Sequence, residues 1–75
     1  MESLADLKPQ EKGVIIEVMA QDKAYKKIID LGFVKGVVVQ VISLAPFNGA
    51  IKIKIKGSNF ILRKEDAKKI IIRKI

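Results

Sequence analysis

Ile51-Lys52-Ile53-Lys54-Ile55-Lys56-Gly57-Ser58-Asn59-Phe60-Ile61-Leu62-Arg63 is the stretch whose reading decides the fold. Its first six residues alternate strictly between isoleucine and lysine. Successive side chains of an extended chain point to opposite faces, so this period of two sets the isoleucines on one face and the ammonium groups on the other. A helix would scatter the same residues around its circumference. The stretch therefore reads as a strand with one buried and one solvated face. Gly57-Ser58-Asn59 then predicts a tight turn, and Phe60-Ile61-Leu62-Arg63 a returning strand.

Working outward, Val37–Leu44 reads as the strand before this one, joined to it by a turn over Pro46-Phe47-Asn48-Gly49. Pro46 fixes its own backbone, and Asn-Gly is a strong hairpin dipeptide. Further upstream, Gln21–Leu31 has the spacing of an amphipathic helix: Ala24, Ile28 and Leu31 share one face, Tyr25 and Ile29 flank it, and Lys23, Lys26 and Lys27 point away. Asp22 is placed to cap its start. Gly32 stands where a helix needs a left-handed stop, so Phe33 is expected to fold back on Ile28. Before the helix, Gly13 opens a strand over Val14–Met19, with Val14, Ile16 and Val18 expected on the core side. Leu4 and Leu7 read as apolar anchors of the lead-in, which Pro9 ends. After Arg63, Lys64–Lys68 suits one helical turn, and Ile70–Ile75 is a last strand.

This order predicts an all-β fold: a small barrel of about five strands, with one short helix between strands 1 and 2. An SH3-like barrel fits, whereas an OB-fold carries its helix later in the chain. Residues 1–75 read as one domain. A chain this short buries a modest share of its surface, and small domains often add disulfides or a metal. With no cysteine and no histidine, the core must suffice, and 49% of the residues are hydrophobic.

The same absences limit the chemistry. The most usual general base and the thiol nucleophile are both missing, and Ser3, Ser43 and Ser58 have no histidine to activate them. No glycine-rich phosphate loop is present. No enzymatic activity, catalytic residue or cofactor is expected. Only eight carboxylates are available as metal ligands; Glu65 and Asp66 are adjacent, and Asp22 and Asp30 are eight apart, so no metal site is expected.

The charge is uneven. Residues 1–34 carry five lysines against six acids, whereas residues 35–75 carry ten basic residues against Glu65 and Asp66. A basic half suits an anionic partner, although lysines also simply keep a small protein dissolved. The row of Lys52, Lys54 and Lys56 is the sharpest functional feature. Its plainer reading is a solvated face that discourages edge pairing. Nucleic acid is a poor match: aromatics are 5% of the chain, Phe33 and Phe60 fall at core positions, and arginine occurs only as Arg63 and Arg73. Phe47, at a turn tip, reads either as an interface anchor or as a cap over the barrel end. The N-terminus, Met1-Glu2-Ser3-Leu4-Ala5-Asp6, is acidic and lacks the form of a secretory signal. Gly36–Phe47 is too short and too interrupted to span a bilayer, which takes about 20 apolar residues. A cytoplasmic location is expected.

In its order and spacing the chain resembles the FeoA family. The resemblance runs from about Leu4 to Ile72. It is carried by Ser3-Leu4-Ala5-Asp6-Leu7-Lys8-Pro9, by Leu31-Gly32-Phe33-Val34-Lys35-Gly36, by Ala45-Pro46-Phe47-Asn48-Gly49, and by Gly57 with Phe60–Ala67 and Ile70. It departs from the family's pattern at Gln10, often glycine; at Lys27-Ile28, often arginine-leucine; at Lys35, frequently proline; and at Asn48-Gly49-Ala50, a turn that often ends in proline. The resemblance implies an SH3-like barrel that assists ferrous-iron uptake by contacting the FeoB permease, a membrane protein with a GTP-binding domain. It implies recruitment to the inner face of the membrane only through that partner, and no small-molecule substrate. The same domain type ends metal-dependent repressors, but no DNA-binding helices accompany it here. The expected contact residues are Leu31, Phe33, Phe47, Lys52, Lys54 and Lys56. Stimulation of a GTPase would want a presented arginine, and Arg63 and Arg73 read as strand residues.

Overall fold

The structure, a computed structural model, describes residues 2–45 and 49–75. Its elements are β1 (Glu2–Ser3), a 3-10 turn (Leu4–Asp6), β2 (Lys12–Val18), α1 (Asp22–Asp30), β3 (Val38–Ala45), β4 (Ala50–Ile55), β5 (Ser58–Arg63), α2 (Lys64–Ala67) and β6 (Ile70–Lys74). The strands form one antiparallel sheet in the order β1-β6-β2-β3-β4-β5. The molecule measures 27 × 26 × 25 Å. Side chains from strands toward opposite ends of the sheet, Leu62 of β5 and Ile70 and Ile72 of β6, meet in one core, as in a sheet curled on itself. The strands expected from the sequence are all present, and β1 adds a two-residue sixth strand at one end. The long helix therefore lies between β2 and β3.

β4 bears out the alternation. Ile51, Ile53 and Ile55 are buried, and Lys52 and Lys54 are exposed. The isoleucines meet Val39 and Val41 of β3, Leu62 of β5, and Ile70 and Ile72 of β6 in one core. Leu4 and Leu7 are both buried in it, as anchors should be. The intervening 3-10 turn is held by Asp6, whose carboxylate accepts bonds from the Ser3 N–H at 2.8 Å and the Ser3 hydroxyl at 3.2 Å.

The inward face of β2 before its bulge is the reverse of that expected, whereas Val18 faces the core as expected. Ile15 is buried, whereas Ile16 is exposed. The cause is a β-bulge: Ile15 pairs with Ile72 and Glu17 with Ile71, leaving Ile16 as the extra residue. Beyond it the parity switches, and Val18 packs against the core. Before it, Gly13 lies so close to β6 that a β-carbon there would sit 2.9 Å from Ile72 Cδ1 and 3.3 Å from the Arg73 carbonyl oxygen.

Helix α1 buries Ile28 completely and ends as expected. The Gly32 N–H bonds the Ile29 carbonyl at 2.9 Å, and the Phe33 N–H bonds the Ile28 carbonyl at 3.3 Å. This pair of bonds is a Schellman motif, with Gly32 at φ +102°. Asp22 does not cap the helix. Gln21 is the N-cap, no side chain caps the first turn, and Asp22 is already the first helical residue. Its carboxylate still lies in the first turn, where the helix dipole favours negative charge. Lys27 does not simply point away: its Nζ lies 3.1 Å from Asp66 Oδ2, tying α1 to α2.

Candidate docking surface

The second tight turn is Lys56-Gly57, one residue earlier than expected. Ile55 pairs directly with Ser58, and Lys56 and Gly57 have φ of +49° and +83°. Positive φ at both central residues is the type I′ hairpin, whose twist matches that of the flanking strands. Lys56 is thus a turn residue and stands outside the strand row, which consists of Lys52 and Lys54 alone. That row also lies on an interior strand, between β3 and β5, so it protects no sheet edge.

The remaining expected contact residues are distributed as follows. Leu31 is partly buried and Lys56 exposed, and both line a shallow depression of about 190 Å³ with Phe60 and Ser58. Phe33 has no exposed surface and cannot touch a partner directly. It is the residue after the helix stop, folded onto the core beside Ile28, with its ring 5.9 Å from that of Phe60 in an edge-to-face contact. It supports the depression from beneath. Phe47 lies outside the described residues. The candidate residues therefore fall into two neighbouring groups, Leu31 with Lys56 at one end of β5 and Lys52 with Lys54 across its outer side.

Beside Lys52, at the end of the row away from Lys56, stands a residue that the reading of faces on β4 did not extend to. Ile61 is 72% exposed, the most exposed of the large apolar side chains among the described residues. It stands opposite Lys52 in the β4–β5 ladder. The signal was present: with Leu62 inward, a period of two turns Ile61 outward. Ile61 opens onto a groove of about 660 Å³ walled by Lys27 of α1 and by Arg63, Lys64 and Glu65. A second apolar shelf, about 420 Å³, lies on the other side of α1 between Ile16, Tyr25 and Ile29. Among the described residues no group of three or more acidic, histidine or cysteine side chains is placed to hold a metal ion, and no helix is long and apolar enough to cross a membrane.

A curled antiparallel sheet with a helix laid beside it and a basic surface broken by exposed aliphatic side chains defines the class: a small SH3-like barrel. Residues 2–74 match the model of the FeoA domain, and the chain belongs to the FeoA family. It is 33% identical over 72 residues to a fusion of Fe(2+) transport protein A with the Fe(2+) transporter FeoB from Porphyromonas gingivalis. That match covers 96% of this chain but only 8% of the fusion protein, so the chain spans a small part of that relative. The crystal structure of Stenotrophomonas maltophilia FeoA, described as a prokaryotic SH3 domain protein and solved with zinc, superposes with a TM-score of 0.83 at 26% identity over 97% of this chain and 91% of that one. A manganese-dependent transcriptional repressor matches with a TM-score of 0.91 over 99% of this chain and 36% of that one. At 17% identity, that likeness shows the fold alone. The family ties the chain to ferrous-iron transport.

Proposed function

We propose that this protein is a non-enzymatic accessory of ferrous-iron uptake that binds a FeoB-type permease on its cytoplasmic side and tunes it through a reversible protein–protein contact. The observation that carries this reading is the Porphyromonas gingivalis fusion, in which a related segment and the transporter are one polypeptide. Joining two partners covalently raises their effective concentration without new contacts. A domain not so joined would meet the permease by diffusion, and the net charge of +7 on these 75 residues favours an acidic docking face. Leu31, Lys52, Lys54 and Lys56 are the surface groups offered for that contact. The histidine base and the cysteine nucleophile that most often carry chemistry on a substrate are absent from the sequence. Nucleic acid is a weaker fit, because Tyr25 is the one large exposed aromatic among the described residues.

The test is genetic and quantitative. Deleting the gene should lower uptake of labelled Fe²⁺, and the wild-type chain should restore it. Restoration by a chain carrying Lys52→Glu and Lys54→Glu should be several-fold weaker, although both side chains are exposed and folding is unaffected. Normal uptake in the deletion strain would contradict the reading.

A further inference from the structure

The sheet has a free edge at β5. Its order ends there, so Ser58–Arg63 pair with β4 on one side only. The two-residue turn fixes which groups are left over. Ile55 and Ser58 close it as a hydrogen-bonded pair, so in the alternating antiparallel ladder Phe60 and Leu62 also face β4. The main-chain groups of Asn59 and Ile61, and the N–H of Arg63, then point away from the sheet. None of them has a hydrogen-bond partner among the described residues. All three residues are exposed.

Such an edge invites another strand, and natural sheets usually blunt it with a proline, a charge on the strand or a covering element. Here the central residue is Ile61, the most exposed of the large aliphatic side chains among the described residues. Among the described residues no element covers the edge. Helix α1 stands off across the groove, with Lys27 on its far wall. The surroundings select the charge of an incoming strand. Residues 50–64 contain five basic side chains and no acid, and the one acid that lines the groove, Glu65, lies 3.7 Å from Arg63 in an exposed pair that leaves the surface basic on balance. Lys52 lies directly opposite Ile61, and Arg63 and Lys64 line the same groove. A second copy of this chain would set basic flank against basic flank, with a net charge of +7 on each copy.

We propose that the β5 edge is a strand-addition site for an extended, acidic segment of a partner protein. The segment pairs its main chain with Asn59, Ile61 and Arg63. It seats one apolar side chain on Ile61 and presents carboxylates two residues to either side, toward Arg63 and the lysines of β4. Main-chain bonds supply affinity, while the alternating apolar and acidic positions supply selectivity. This deepens the accessory-protein reading and rests on it for the partner's identity, but the site is testable without any permease.

The probe is the blocked pentapeptide Glu-Thr-Val-Thr-Glu, whose palindromic sequence gives the same outward face in parallel or antiparallel pairing. Its counterpart has lysine in place of glutamate. Each is added at up to millimolar concentration to the ¹⁵N-labelled full chain. The acidic peptide should shift the amide signals of Asn59, Ile61 and Arg63 and slow their hydrogen exchange several-fold. The lysine peptide should do neither. Ile61→Lys should abolish the response without changing the melting temperature, and Arg63→Glu should weaken it. No response to the acidic peptide, an equal response to both, or a response confined to the Ile16–Tyr25 shelf would overturn the proposal. So would protection of the same amides that rises with protein concentration alone, which would give the edge to a second copy. A permease that fails to bind would remove the accessory reading and leave these outcomes untouched.

Discussion

Two glycines of this chain resist substitution for different reasons. At Gly32 a β-carbon would meet nothing within 4 Å, but φ is +102°. A side chain is therefore penalised by its own backbone. Gly32→Val should cost about 1–3 kcal/mol in urea unfolding, and Gly32→Asn clearly less, because asparagine tolerates positive φ. At Gly13 the penalty comes from the neighbouring strand, with Ile72 Cβ at 3.2 Å and the Arg73 carbonyl at 3.3 Å from an added carbon. Gly13→Ala should cost about 1–3 kcal/mol by overpacking, and Ile72→Val should recover part of that loss. Gln10 is the converse case. It is not a glycine, yet it holds φ +76°. Its backbone is engaged, its N–H bonding the Val41 carbonyl at 2.7 Å, so the strained angle is imposed by the fold. Gln10→Gly should raise stability, by about 1 kcal/mol at most; a lower urea midpoint would show that the angle carries no strain. Gly32 was legible in the sequence because a helix stop has a local signature. The close approach at Gly13 was not, because the residue that crowds it lies 59 positions away.

At the scale of elements, legibility followed how much each segment decided for itself. β4 alternates strictly, so its faces could be assigned without knowing its neighbours. β2 could not be treated so. It holds consecutive apolar residues from Val14 to Ile16, a run without a period, and the bulge at Ile16 that sets its faces is a property of its pairing with β6. The β4–β5 turn was misplaced by one residue because Lys56 takes a positive φ that lysine rarely adopts. The junction of β6 with the approach to β2 carries a pH signature. Lys74 forms an ion pair with Glu11, whose carboxylate also accepts the Lys8 N–H at 2.7 Å. The bond from the Lys74 side chain, and then that from the Lys8 backbone, hold the Glu11 carboxyl below its ordinary 4.5. The bond to Glu11 likewise raises the Lys74 ammonium above its ordinary 10.5. A depressed carboxyl pKa gives stability that is present above 4.5 and lost as the pH falls through the folded-state value. The raised ammonium pKa gives stability present below 10.5 and lost as the pH climbs beyond it. Glu11→Gln should therefore lower the urea midpoint at pH 7, and its gap from the wild type should close on acidification below 4.5. Both groups face solvent, so the gap should be small and should shrink in salt.

At the scale of the whole molecule, the fold and the site were not equally visible. A barrel of short strands with one helix followed from periodicity and turns, and family membership agrees with it. The docking surface was legible only in parts. The lysines of β4 were found from alternation, and the same period turns Ile61 outward, whereas the open side of β5 depends on which strand ends the sheet, a property of topology. Phe33 went the other way: as an aromatic after a loop glycine it suggested a contact, and the Schellman motif buries it. The result is a basic barrel whose β5 edge pairs on one side only among the described residues, and the proposal is that this edge holds a partner. The most direct measurement of that claim is the binding of the purified chain to the detergent-solubilised FeoB-type permease of the same organism, followed by interferometry at 50 and 300 mM salt, concentrations on the order of those that move the screening length across molecular dimensions. The account predicts saturable, reversible binding that weakens several-fold at the higher salt and is lost in Ile61→Lys. Absence of binding at both salt concentrations would contradict it.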